Sequence, residues 1–323
     1  RDKVGDFVYQ ISGNFSVNDN KVTKFRGPVE RGWFDDGSGN VVYKSNVGET
    51  IQNGFGGVIA EGHTLGEYFI HTLYNGNGRY PGTGDAELHE GPDDGMVRNG
   101  YNLKWVESMI AQGYTFVGSN IVSPNGLYLG DLIYADNNND GDFGNENDKM
   151  FTGKSSIPKY NFGVQLSAQY KQFDLSMIWG GSAGFHLYWN QDFYNSTRTV
   201  NGNPIAKHIA NDHFFYDSSN LSDPRTNQSA KFPRLTDATE RSNDLSSEFW
   251  LYDGSFVKLR NLQIGYSLPR NWIEHVNLDK VRFYCSGENL LTLTNYPGVD
   301  PEIGATVNYP TLKQIAFGIQ VQF

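Results

Sequence analysis

The sequence predicts an all-β chain, a transmembrane antiparallel β-barrel segment with long extracellular loops. Three observations lead there. Several stretches of about nine to eleven residues alternate between apolar and small or polar side chains, aromatics recur near their ends, and short links alternate with long ones. Composition agrees: aromatics make up 14% of 323 residues, with 37 Gly against one Cys and four Met, a balance that favours strands.

The elements follow in chain order. DFVYQISGNFSV (6–17) places Phe7, Tyr9, Ile11, Phe15 and Val17 on one face. GNGRYPGTGDAELHEGPDDG (76–95) reads as a glycine-rich loop. NLKWVESMIAQG (102–113) is the one strongly helical stretch, with Leu103, Val106, Met109 and Ile110 at helical spacing, and it is expected to cap a loop. YNFGVQLSAQYK sets Tyr160, Phe162, Val164, Leu166, Ala168 and Tyr170 against Asn161, Gly163, Gln165, Ser167, Gln169 and Lys171. FDLSMIW begins two residues later, so a tight hairpin is expected around Lys171 and Gln172. Further strands are expected at SFVKLRNLQIGYSLP (255–269) and KVRFYCSGENLLTLTN (280–295). In the terminal IAFGIQVQF, Ile315, Phe317, Ile319, Val321 and Phe323 share a face. The links at 171–172 and Pro269–Asp279 are short, while 189–254 and 296–312 are long. That asymmetry is expected of a barrel with short periplasmic turns and long outer loops.

Charge and hydropathy remove other classes. A net charge of −10 and a pI near 5.1 argue against a nucleic-acid partner, whose phosphates need clustered Lys and Arg. Mean hydropathy is −0.53 and no run approaches the roughly 20 apolar residues of a membrane helix, which leaves a barrel open because only alternate residues face lipid. Cys285 stands alone, which excludes an internal disulfide framework and a Cys-based zinc site. RDKVGDFVYQ lacks the pattern of a signal peptide, so the chain is expected to start after processing or to be a fragment.

Chemistry is sparse. The seven histidines are scattered without an HExxH pattern, FGG and GGSAG lack the lysine and helix of a phosphate loop, and no catalytic residue is assigned. One motif stands out. In DNNNDGDFGNENDK (136–149), Asp136, Asn138 and Asp140 alternate so that their oxygens can converge on a hard cation; Asp142 follows, Gly141 falls at the sharp turn and Phe143 at the buried apolar position. The twelfth position is Asn147, flanked by Glu146 and Asp148, so the closing carboxylate is out of register. Structural calcium is the cofactor expectation, and a solvated turn-rich loop is the alternative. Aromatics in the long loops, among them Trp33, Tyr188, Trp189, Phe193, Tyr194, Phe214, Phe215 and Tyr216, are candidates for stacking on substrate or anchoring a partner. Trp189, Tyr194, Phe215 and Tyr216 are carried as site residues.

Collinear fragments along nearly the whole chain resemble the C-terminal part of the SusC/RagA family of TonB-dependent outer-membrane transporters. They include KVGDFVYQISGNFSVNDNKVTKF (3–25), GDLIYADNNNDGD (130–142), YNFGVQLSAQYKQFDLSMIWGG (160–181) and, most specifically, LYDGSFVKLRNLQIGYSLP followed by RFYCSGENLLTLTNYPGVDPE. The resemblance implies a barrel of about 22 strands with a plug. It also implies a SusD-like surface lipoprotein as lid, energy through TonB, and import of oligosaccharide or peptide without enzymatic activity. Residues 1–323, with roughly eight to ten strands, then correspond to the C-terminal part of one such barrel. The plug and N-terminal strands lie outside this sequence, and the end strands are edges awaiting the rest of the barrel. By the same resemblance the C-terminus is periplasmic and the loop at 136–149 extracellular. The competing class is a secreted, calcium-stabilised β-sandwich, a glycan-binding module or glycoside hydrolase.

Overall fold

The computed structural model describes residues 2–54, 57–76, 91–117, 127–189, 197–199, 204–237, 242–276, 278–305, 309 and 311–323. The chain divides into two compact units. One comprises 1–20, 156–187 and 252–323, the other 21–155 and 188–251.

The first unit is built on one antiparallel sheet. Its strands, in chain order, are β1 (Asp2–Val4), β2 (Phe7–Val17), β3 (Tyr160–Tyr170), β4 (Phe173–Ala183), β5 (Phe256–Ser267), β6 (Lys280–Thr294) and β7 (Gln314–Gln322), and they pair in that same order. All six long stretches expected from alternation are strands, with ends within a few residues of those read from sequence; β4 runs four residues beyond Trp179. Instead of eight to ten comparable strands, the described residues hold these six long ones and a set of short ones, most of them in the second unit.

The register carries the alternation across the sheet. Ile11 pairs with Leu166, Leu166 with Met177, and Met177 with Leu262; Ile264 pairs with Cys285, and Cys285 with Phe317. Side chains of one parity therefore form a continuous apolar face, and Gln10, Ser167, Ser176, Gln263 and Ser286 sit together on the other. The apolar face is open: Phe15 is 66% and Phe317 82% exposed. A sandwich would bury such a face against a second sheet. One irregularity interrupts the ladder at Arg260, where β5 carries one residue more than β4 and Leu259 rather than Arg260 pairs with Trp179.

The connections are sorted by end. β1–β2 and β3–β4 are joined by two-residue turns, with Gly5 and Lys171 at positive φ, and β5–β6 by the segment 268–279, which contains a short helix. At the opposite end the links run 18–159, 184–255 and 295–313.

The second unit has its own core, where the sequence suggested only a helical cap on a loop. Helix α1 (Gly100–Ala111) starts on Asn99, whose side chain accepts hydrogen bonds from the N–H groups of Tyr101 and Asn102, and the chain leaves it through Gly113 at φ +96°. It buries Trp105, Val106 and Met109 against Tyr74, Val97, Phe116, Ile133 and Phe143. A four-stranded sheet pairs Met150–Ser155, Glu67–Ile70, Gly57–Ile59 and Gln52–Gly54 in that order. Most of the glycine-rich stretch 76–95 lies outside the described residues. No helix among them is long and apolar enough to cross a membrane.

Candidate functional site

The 136–149 loop is a closed hydrogen-bonded knot. Asp136 is buried, and its carboxylate accepts from the N–H of Gly141 at 3.0 Å and of Asp140 at 3.2 Å. Asp140 Oδ2 accepts from the carboxamides of Asn138 and Asn145, both at 2.8 Å. Gly141 turns at φ +90° and Phe143 is buried, as the motif requires. The structure thus brings Asp136, Asn138 and Asp140 together. Asp142 stands apart, since its carboxylate receives the Thr115 hydroxyl.

The residue that organises the loop is Asp148, which in sequence merely looked out of register. It is fully buried and accepts four backbone N–H groups: Asn137 at 2.7 Å and Asn138 at 3.3 Å on one oxygen, Gly144 at 2.8 Å and Asn145 at 3.1 Å on the other. Burial pushes its proton affinity up to a pKa of about 6, the N–H groups oppose that, and Asp136 adds to it. Asp136 is raised as well, mainly by burial and further by Asp140. Two side chains from the hairpin Arg31–Asp35/Val41–Ser45 grip the loop: Trp33 Nε1 donates to the Asn138 carbonyl at 2.6 Å, and Arg31 to that of Lys149 at 2.6 Å. The donors suit a hard cation in type, being all oxygen. Among the described residues, however, no group of three or more His, Cys, Asp or Glu is arranged to hold a metal ion.

The loop aromatics separate by environment. Phe215 and Tyr216 line a cavity of about 810 Å³, with His213, Asn227, Arg225 and Arg234 among its polar groups. The Arg225 guanidinium lies 4.6 Å from the Phe215 ring centre and holds Asp223 down to a pKa of about 2. Arg234 donates to the buried Asp131 at 2.6 Å and lies 4.6 Å from the Tyr128 ring centre. Trp189, expected at the surface, is only 2% exposed, and its backbone N–H donates to the Trp250 carbonyl; burial makes it part of the packing rather than a contact surface. Phe214 is likewise buried. Trp33 is exposed yet tied to the acidic loop. Phe193 and Tyr194 lie outside the described residues.

A further cluster went unnoticed in sequence. Lys258 on β5 is completely buried and ion-paired with Asp300 and Glu302, while Arg260 reaches the second oxygen of Glu302. The only sequence signal is a lone Lys on the polar face of a strand and two acids in NYPGVDPE, 42 residues on, which no local spacing connects.

Comparison with known proteins supplies the frame for these parts. No family model matches the chain. TonB-dependent receptor P3 of Formosa agariphila is 26% identical over 333 residues, covering 98% of this chain and 27% of the relative. TonB-dependent receptor SusC of Bacteroides thetaiotaomicron is 21% identical, covering 97% and 30%. The chain therefore spans less than a third of the length of these relatives. The structure of the RagAB peptide importer in its closed-closed state matches with a TM-score of 0.61 at 18% identity, over 100% of this chain and 28% of that one. The open-open state gives 0.57 at 19%. The chain is thus similar in sequence, along nearly its whole length, to a portion of TonB-dependent receptors of the SusC type, and it shares the fold of the corresponding portion of the RagAB structures.

Proposed function

We propose that this chain forms part of the barrel wall of an outer-membrane transporter. In that reading the transporter imports a polar cargo, oligosaccharide or peptide, with energy from TonB and a SusD-like lipoprotein as partner. The observation that carries the reading is the register: six long strands gather most of their apolar side chains on one open face and most of their polar ones on the other. Lipid is the solvent in which such a face is stable, and a wet passage suits the other. The sorting of short turns to one end and long connections to the other favours placing the short-turn end, where Phe323 lies, in the periplasm. The relatives are named as receptors, and the solved neighbour as a peptide importer; no catalytic role is assigned to any residue here. The reading is tested by gel migration of the detergent-extracted full-length protein, which should shift on heating as the barrel opens. A protein that stays in solution without detergent sinks it.

We propose further that calcium, where bound, is taken by Asp136, Asn138 and Asp140, with Asp142 contributing only after leaving Thr115. The support is geometric, with Asp136, Asn138 and Asp140 drawn together at the Gly141 turn, and electrostatic, since buried Asp136 has a raised proton affinity to which Asp140 contributes and which a cation relieves. With so few carboxylates the affinity belongs in the weak range, roughly 0.1–1 mM. Calorimetric titration with calcium that releases no heat in wild type, or the same heat in Asp140→Ala, rejects it.

A further inference from the structure

Residues 296–305 leave β6 and fold back over the polar face of the sheet. Lys258 projects from that face, between Gly180 on β4 and Thr292 on β6, and is 0% exposed because this segment covers it. Its Nζ lies 2.9 Å from Asp300 Oδ2 and 2.7 Å from Glu302 Oε2. Arg260, the extra residue of the bulge, is 2.7 Å from Glu302 Oε1. Both acids are braced: the Glu302 N–H donates to Asp300 Oδ1 at 3.0 Å and the Thr311 hydroxyl to Asp300 Oδ2 at 2.6 Å. Tyr296 is buried over Gly298, where any side chain would collide with the ring, and its hydroxyl donates to the Gly304 carbonyl at 3.4 Å. Beneath the segment, against Asn289, Thr292 and Lys313, lies a cavity of about 320 Å³.

A buried ammonium is tolerated only while its counter-charges stay in place, so Lys258 and the segment hold each other. The cavity leaves part of the segment without packing against the sheet, which puts more of its attachment on the ion pairs. We infer that Lys258 is a positioning residue that holds residues 296–305 as a strap across the polar face, and that this strap narrows the passage along β5 and β6. The inference rests on the transport reading, in which the polar face lines the path. Replacing Lys258 leaves Asp300 and Glu302 facing each other without their shared cation, and the strap lifts. An arginine restores the charge at nearly the same place.

The test uses the full-length protein with three variants: Lys258→Met, Lys258→Arg, and Glu302→Gln combined with Arg260→Gln, which keeps the Lys258–Asp300 pair. Each is incorporated into planar bilayers and sized with graded polyethylene glycols, and strap cleavage by added protease is followed in parallel. Lys258→Met should be cut within 296–305 on the order of tenfold faster and should admit larger glycols. Lys258→Arg should return both readouts to wild type. If Lys258→Met does not insert, the double variant decides by the same two measurements. Wild-type cleavage rates, or faster cleavage with an unchanged size limit, overturn the inference. A wild type that needs no membrane at all overturns the transport reading instead, and with it the passage.

Discussion

Arg282 on β6 reaches across Gly265 on β5 to Asp174 on β4, spanning two strand spacings to close a paired contact, with Nε 2.9 Å from Asp174 Oδ1. A Cβ at Gly265 would fall 2.4 Å from the guanidinium and 2.5 Å from the carboxylate, so the pair exists because that position has no side chain. Gly265→Val should part the two groups and destabilise the folded protein by about 1–2 kcal/mol. Asp174→Asn should cost a similar amount while leaving the strand unstrained. Urea unfolding of the full-length protein in lipid vesicles measures both, and an unchanged midpoint in Gly265→Val removes the pair from the account.

Asp148 sets a pH dependence of definite sign. Its pKa is about 6 in the folded loop against about 3.9 in an unfolded chain, so folding takes up a proton between those values. The stabilisation is complete below about pH 4 and is lost as pH rises through about 6, an effect on the order of 2 kcal/mol. Amides of 136–148 should therefore exchange more slowly at pH 5 than at pH 7.5 once intrinsic rates are corrected. Saturating calcium should flatten the difference if the loop takes that ion.

Asp148→Asn separates charge from hydrogen bonding. It removes the buried charge but turns an amide donor toward two of the four N–H groups, so a loss of about 1–3 kcal/mol is expected despite the relief of repulsion. A stabilised loop in this variant would mean that the charge, rather than the N–H cradle, dominates.

Phe143 is stacked 4.5 Å from Phe116 and meets Trp105 edge-on at 6.2 Å. Phe143→Ala should cost the second unit about 3–5 kcal/mol. Protease digestion should then open that unit first. Equal protection in variant and wild type would contradict this packing.

Phe215→Ala and Tyr216→Ala alter the wall of a cavity, whereas Trp189→Ala removes a buried ring. On the transport reading proposed above, the first two should weaken cargo or partner binding by about tenfold at unchanged melting temperature. Trp189→Ala should lower the melting temperature whatever it does to binding. Thermal unfolding beside binding of the lipoprotein proposed as partner distinguishes them.

The sheet was legible in the sequence because a half-solvated strand writes its two faces into alternate residues, and the helix because Leu103, Val106 and Met109 repeat at its own period. What could not be read was anything joined across distance. β2 pairs with β3 across more than 140 residues, and nothing in FVYQISGNFSV names its partner. The core around Phe143 escaped notice because, apart from the helix, its residues come from short, irregular pieces without a period. Within the acidic loop Gly141 turns and Phe143 is buried as their spacing suggested, and Asp136 and Asn138 draw in around Asp140. Asp148 mattered more than any of them, because four N–H groups converge on it only after the loop closes. Trp189 illustrates the reverse error, where a ring in a polar stretch looks exposed until its neighbours are known.

The extra residue at Arg260 reconciles two runs of opposite parity on one strand. On one side of it the apolar face of β5 is carried by even positions, Leu262, Ile264 and Tyr266; on the other by odd ones, Val257 and Leu259. Deleting Arg260 would let Leu259 follow Asn261 in plain alternation and keep both runs on their face, so the loss would be the local bend and the contact with Glu302 rather than the sidedness of the strand. The bulge is therefore a way of fitting one additional cation into a strand whose pattern is complete without it.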